Sequence, residues 1–414
     1  MLLWIYKIIS YLIYPFVPIY LNNRLSLKKE LKDRINERYG YSKIKRKKGK
    51  LVWLHAASIG ESISILPLVK ELEKNKNIKQ ILVTTGTVTS AKIMNERLKG
   101  KAFHQFLPID IPIFVARFLN HWNPSLSIFV ESEIWPNFIS ALSKRKSKLM
   151  ILNGRMTVKS FNNWLKFKKT SLTLFANFDL CCAQSNDSAF FYENLGIKNT
   201  VYTGNLKFSS EPEKLDNKKL KILKKMFENR KILLAASTHE GEEEIIANIT
   251  SSLKKKDKNF LSIIVPRHPN RTEFFSNKQK LKIAYRSKGQ DIEPNTSIYI
   301  ADTVGELNLF YKLANFVFVG GSLINHGGQN PIEAAFLGKT IIHGPNIINF
   351  ADVYEILNRM KLTMLVKNER QLQMYIEEKY KKSNVNTSKI ASTRIKKEGK
   401  EALQNSMNEI NQLI

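Results

Sequence analysis

Short apolar runs recur along the chain, each closing on small or polar residues and each followed by an amphipathic stretch. LVWLHAAS (Leu51 to Ser58) reads as a buried strand, and IGESISILPLVKELEK as a loop and helix. ILVTTGT (Ile81 to Thr87) is a second strand, followed by the helical TVTSAKIMNERL. A third apolar segment runs from Leu126 to Leu142, LMILNGRM follows from Leu149, and FDLCCAQSNDSAFFYENLG leads to the strand Thr200 to Asn205. Strands alternating with helices predict a parallel sheet covered on both faces. Ser209 to Lys221 is polar, contains Pro212, and reads as a linker. The rhythm then restarts with Lys231 to Thr238, Phe260 to Pro269, Ser297 to Thr303 and Phe316 to Val319; Thr340 to Pro345 is the last apolar strand. The tail after Ser383 is Lys-rich and helix-like. The expected organisation is two α/β domains with a ligand cleft between them, over 23–208 and 209–395, and a C-terminal helix, 396–414, that packs back on the first.

Two stretches depart from this rhythm. In VFVGGSLINHGGQNPIEAAFLGKTIIHGPNIINF, Val317 to Phe350, a strand breaks into Gly320 and Gly321 and, after Gly327 and Gly328, enters a helix at Pro331. Such a unit lets backbone N–H groups approach a phosphate, although many α/β proteins carry glycine loops without one. At the other end, Leu2 to Leu21 is apolar but for Lys7 and a few uncharged polar groups, about the length that spans a bilayer core. Pro15 and Pro18 spoil a straight helix, so crossing the bilayer and lying in its interface both remain open. Residues 1–22 are expected to be a membrane anchor. Between Asn22 and Lys50 stand 12 Lys or Arg against 3 acidic residues, which places this segment on the cytoplasmic side.

Length and composition narrow the class. The 414 residues suffice for two cores, and the 43% hydrophobic content excludes a mainly disordered chain. Cys181 and Cys182 are adjacent, a poor arrangement for a structural disulfide. The net charge of +30 suits an anionic membrane surface, an acidic substrate or nucleic acid. The lysines are spread out, without the stacking aromatics of a nucleic-acid module, which argues against the last.

Several polar groups fall just after strands, where α/β folds build their sites. Glu61 opens a helix, either as a cap or as a general base. Glu131 and Glu133 follow the third apolar run, sharing a face if extended and diverging at a turn. Lys207 could neutralise a carboxylate or phosphate. Arg267 and His268 end an apolar strand and suit a phosphate through directed donors. Ser237 to Glu244 similarly puts hydroxyls, a histidine and a carboxylate at a helix start, and its acidic run has a simple alternative role, a favourable interaction with the helix dipole. No Walker loop, HExxH, GxSxG, GxGxxG or Asp-x-Asp occurs at a fitting place, and no metal or other cofactor is expected.

The ordered set WLHAASIGES, VESEIWPN, LNGRM, AQSNDS, YTGNLKF, AASTHEGEEE, VPRHP, DTVGELNLFYKLA, FVGGSLINHGGQNPIEAA and HGPNIINF resembles the 3-deoxy-D-manno-octulosonic acid (Kdo) transferases of lipopolysaccharide synthesis. The resemblance implies a GT-B fold, two Rossmann-like domains facing a cleft. It implies transfer of Kdo from CMP-Kdo to a lipid A precursor (lipid IVA) with inversion and CMP release, at the cytoplasmic side of a bacterial inner membrane. By motif, Glu61 matches the family's base, and Glu131 and Lys207 match groups that support the transition state. Arg267, His268, Val304, Gly305, Glu306, Asn330, Pro331, Ile332 and Glu333 match donor-binding positions. The rivals are a UDP-sugar transferase or epimerase of the same fold, or a binder of anionic surfaces or nucleic acid. The number of Kdo residues added, acceptor acylation and oligomeric state are not fixed by these motifs.

Overall fold

The computed structural model describes residues 2–145, 147–210, 212, 215–269, 281–381 and 388–414. Two compact units emerge, Met1–Ser210 with Lys397–Ile414, and Glu211–Lys396. In the first, seven strands form one sheet: β1 (Lys50–His55), β2 (Ile78–Thr85), β3 (Ala102–Phe106), β4 (Leu126–Val130), β5 (Lys148–Gly154), β6 (Leu180–Ala183) and β7 (Thr200–Tyr202). The order is β3-β2-β1-β4-β5-β6-β7, parallel throughout. β1, β4 and β5 are apolar almost end to end because helices cover both faces. One core layer centres on Trp53, Phe118, Phe129 and Phe138, the other on Leu54, Leu68, Val83 and Ile128.

The second unit repeats the plan with β8 (Lys231–Thr238), β9 (Phe260–Pro266), β10 (Lys282–Tyr285), β11 (Thr296–Ile300), β12 (Phe316–Val319), β13 (Ile341–His343) and β14 (Thr363–Leu365). Its order is β10-β11-β9-β8-β12-β13-β14, again all parallel. Strand order reverses between β1 and β4 in one sheet and between β8 and β12 in the other. Ligands of open parallel sheets collect beyond the strand carboxyl ends at such points.

Several elements differ from the sequence expectation. β3 and β10 are edge strands with short or polar-interrupted patterns, AFHQF and KIAY, and periodicity alone passes over them. Thr340 to Pro345 is not the last strand, since β14 adds at the sheet edge. Part of the supposed linker lies outside the described residues, and the rest is not a linker throughout. A helix starts at Asn217, where Asp216 accepts N–H bonds from Lys218 and Lys219 at 3.0 and 3.1 Å.

The long helix Ser388–Leu413 ends on the first unit, where Ala402 and Ile410 join the core. It approaches so closely that a Cβ on Gly399 would lie 1.8 Å from the Phe208 carbonyl oxygen. The apolar N-terminus is a continuous helical stretch, Leu2–Ser26, in which the helices Leu2–Ile13 and Val17–Ser26 are joined by one 3-10 turn around Pro15; by length and composition alone it could cross a membrane. One side is docked along its length: Leu3, Val17 and Leu21 pack on the unit, and the Tyr6 hydroxyl donates to Asp110 at 2.9 Å. Asn137 donates to Ser10 Oγ at 3.1 Å. The other side leaves Trp4, Leu12, Phe16 and Ile19 exposed to between 63 and 69%.

The basic segment that follows divides by residue type. Its lysines (28, 29, 32, 43, 45, 47, 48 and 50) all face solvent. Its arginines turn inward. Arg38 binds Glu30 and the carbonyls of Gly86 and Leu107, Arg24 joins Glu30, Arg34 pairs with Glu37, and Arg46 reaches the Trp122 carbonyl. The planar guanidinium forms several directed bonds at once, which an ammonium cannot.

Candidate active site

At the switch point of the first sheet, β1 runs out through Ala56 and Ala57 into the helix Ile59–Ser64. Ser58 caps that helix by accepting the Glu61 N–H at 3.3 Å. The Glu61 carboxylate reaches back to accept the Ala57 N–H at 2.8 Å and the Ser58 hydroxyl at 2.7 Å. The cap and the proposed chemistry are therefore compatible, because each oxygen keeps a second lone pair. Burial first, then the neighbouring Glu131 charge, pushes the Glu61 carboxyl above its usual range, against the pull of the Ser58 bond.

Glu131 and Glu133 diverge. Glu131 stands in the left-handed region at φ +59°, uncommon for a residue with a side chain. Its buried carboxylate pairs with Lys207 Nζ at 2.6 Å. Glu133 instead lies 3.4 Å from His55 Nε2 and accepts the Trp135 indole N–H at 2.9 Å. Burial opposes its ionisation, but these partners prevail and hold it below the usual carboxylate range.

Lys207 is placed by residues to which the motifs assign no role. Asn153, buried and also left-handed at φ +53°, sits at an irregularity of β5 and accepts the Leu206 N–H at 2.9 Å. Asn205 accepts the Lys207 N–H at 3.0 Å. A signal existed in the sequence: asparagine is the side chain that best tolerates this backbone region.

A cavity of about 490 Å³ adjoins this cluster. Ile13, Phe16, Val17, Tyr20 and Leu21 of the N-terminal helices form one wall, and His55, Ala57, Leu107 and Trp135 the other. Its mostly apolar lining thus runs from the exposed apolar helices to the residue whose N–H holds Glu61.

In the second unit the matched donor positions follow the carboxyl ends of β9, β11 and β12. Arg267 and His268 are exposed just after β9, with the Arg267 N–H donating to Thr238 at 3.0 Å. Val304 is 86% exposed and Gly305 takes φ +84°. The Glu306 side chain is committed inside the unit, accepting two bonds from Arg286 at 3.0 Å and one from Thr303 at 2.6 Å. Arg286, foremost, holds its carboxyl down at about 2. Asn330 accepts the Ile332 N–H at 3.0 Å as the chain enters the short helix Ile332–Phe336 after Pro331, with Glu333 half-buried in its first turn.

The first glycine pair of the loop after β12 does not offer its N–H groups as the sequence suggested. Gly320 donates to Ala236 at 2.8 Å, and Gly321, Ser322 and Leu323 donate to the Glu242 carboxylate at 2.7, 3.0 and 3.1 Å. Glu242 belongs to the acidic run that the sequence read either as a candidate site at a helix start or as a partner of the helix dipole, and the structure adds its grip on the loop. Among the described residues, no group of three or more His, Cys, Asp and Glu is arranged to hold a metal.

Residues 33–210 match the family model described as 3-Deoxy-D-manno-octulosonic-acid transferase (kdotransferase). A 3-deoxy-D-manno-octulosonic acid transferase of Rickettsia bellii is 36% identical over 376 residues, 90% of each chain. The chain belongs to the Kdo transferase family. This is a glycosyltransferase family, so the protein is an enzyme of that class. Two solved structures share the fold at low identity. A glycosyltransferase from Rickettsia africae aligns over 89% of this chain and 99% of its own with a TM-score of 0.59 at 15% identity. A UDP-GlcNAc 2-epimerase from Neisseria meningitidis, bound to UDP-GlcNAc, aligns over 88% and 99% with a TM-score of 0.56 at 14% identity. Two Rossmann-like units of this kind make the GT-B type of fold.

Proposed function

We propose that this enzyme transfers Kdo from CMP-Kdo to a lipid A precursor, with inversion, and that Glu61 is the base. The observation that carries the reading is the meeting of Glu61, the Glu131–Lys207 pair and the apolar cavity at one switch point. In this reading an acceptor sugar hydroxyl lies against Glu61. As its oxygen bonds to the anomeric carbon of Kdo, its proton passes to the carboxylate. The bond from that carbon to the phosphate oxygen breaks with its electron pair, and CMP leaves. Attack opposite the leaving group inverts the carbon. The raised affinity of Glu61 for a proton suits it to this task.

Arg267 and His268 are exposed donors that would meet the charge on the CMP phosphate, with Val304, Gly305 and the Asn330–Glu333 turn around the nucleotide. No metal is assigned a role, so EDTA should leave turnover unchanged. The cavity would receive apolar parts of the acceptor, and its volume lies within the usual range for ligand sites. The N-terminal helices, docked along one side with large apolar groups on the other, suit a position in the membrane interface rather than across it. The exposed lysines would face anionic headgroups on the cytoplasmic side.

The test is a transfer assay in detergent with CMP-Kdo and a tetraacylated lipid A precursor, read by mass spectrometry. A mass gain of one or more Kdo units with release of CMP is expected. Folded protein and intact donor with no gain would overturn the reading.

A further inference from the structure

A second glutamate stands at the corresponding switch point of the other sheet and touches nothing that the reaction above uses. Glu242 is fully buried at the start of the helix Glu242–Lys256. Its two oxygens accept four backbone N–H groups: His239 at 3.1 Å and Gly321 at 2.7 Å on one, Ser322 at 3.0 Å and Leu323 at 3.1 Å on the other. The loop fits this grip closely. A Cβ on Gly320 would stand 2.8 Å from the carboxylate and 2.7 Å from the Ser237 carbonyl, and Gly321 takes φ +68°. One side chain therefore joins the end of β8 to the turn after β12.

What that joint carries faces the candidate donor residues. The His239 ring stacks on His326 with centroids 3.7 Å apart and lies 6.4 Å from the His268 ring. Its Nε2 is 2.9 Å from the Gln329 amide nitrogen, the residue before Asn330. We infer that Glu242 is a positioning residue for the donor site. It binds no donor itself; it fixes the backbone of His239 and of Gly321–Leu323, and through them the places of His268 and the Gln329–Asn330 approach. The reason is chemical as well as geometric. Four donors converge on two oxygens, and only an ionised carboxylate offers four acceptor sites without a competing proton. The inference rests on the proposed CMP-Kdo reading.

The variant Glu242→Gln tests it, because the amide places an NH2 group against one pair of N–H donors whichever way it is turned. Hydrogen exchange should show the His239, Gly321, Ser322 and Leu323 amides protected in the parent enzyme, and one of the two pairs, His239 with Gly321 or Ser322 with Leu323, losing its protection in the variant. CMP affinity by calorimetry and KM for CMP-Kdo should worsen about tenfold or more, with acceptor KM unchanged and kcat much less affected. If Glu242→Gln does not fold, Gly321→Ala strains the same turn with the carboxylate kept, and should move donor KM in the same direction by less. A folded variant with lower Tm but unaltered CMP affinity would make Glu242 merely structural and overturn the inference alone. A parent enzyme that does not bind CMP would overturn the donor reading, and this inference with it.

Discussion

Glu61 and Glu242 occupy the same topological place, the first helix turn after the first strand of their sheets, and burial raises both carboxyls, but their partners and their access to solvent differ. Glu61 is half-buried, accepts two hydrogen bonds and has another carboxylate beside it. Glu242 is sealed off and accepts four. A carboxylate with spare lone pairs near solvent can exchange a proton with a substrate, whereas one saturated by backbone donors can only hold the backbone. One fold used twice has placed reactivity on one glutamate and rigidity on the other.

The largest effect that separates them is on turnover. Glu61→Gln should lower kcat by about 10²- to 10⁴-fold with Tm nearly unchanged, measured in the transfer assay and by thermal unfolding. Near-normal turnover would remove Glu61 from the base role. Truncation to alanine reverses the ranking in stability. Glu242→Ala strands four buried N–H groups and should cost roughly 4 kcal/mol or more in denaturant unfolding. Glu61→Ala loses part of a helix cap and should cost about 1 kcal/mol. Equal losses would show that the two sites are built alike.

A smaller effect tests the electrostatics around Glu61. Lys207→Met leaves Glu131 unneutralised, so the Glu61 carboxyl should hold its proton to higher pH. The acid limb of kcat/KM should then move up by about one pH unit. No movement would mean that Glu131 does not act on Glu61.

A last effect concerns Asp110, which anchors the N-terminal helix through Tyr6. Burial, foremost, raises its carboxyl from 3.8 to about 6, against the pull of bonds from Asn137, Tyr6 and Phe138. A raised carboxyl contributes stability that is fully present below its unfolded value and lost as pH rises through about 6. Asp110→Asn should flatten that fall, which amounts to at most about 3 kcal/mol. An unchanged pH profile of unfolding would rule Asp110 out as its source.

Much of this was legible beforehand. The apolar runs of β1, β4, β5, β8 and β9 marked buried parallel strands because helices cover both faces. The spacing of Glu61, Glu131 and Lys207 after strands put them at carboxyl ends. Edge strands such as β3 and β14 were not legible, since β3 buries the polar His104 and Gln105 and β14 is only three residues, none of them buried. Nor was the linker, where a capped helix begins at Asn217 among polar residues.

The sequence by itself determined the parallel α/β architecture, the family, and which end of each sheet holds the polar groups. All three follow from local pattern and from residue identity. Only the tertiary structure decided which of those polar groups are available. It turned Glu306 onto Arg286, Glu242 onto a glycine loop, and the arginines of the basic segment inward while the lysines stayed out. The reason is that the state of a charged group depends on which donors and acceptors reach it through space, and sheet closure brings those from residues far apart in the chain.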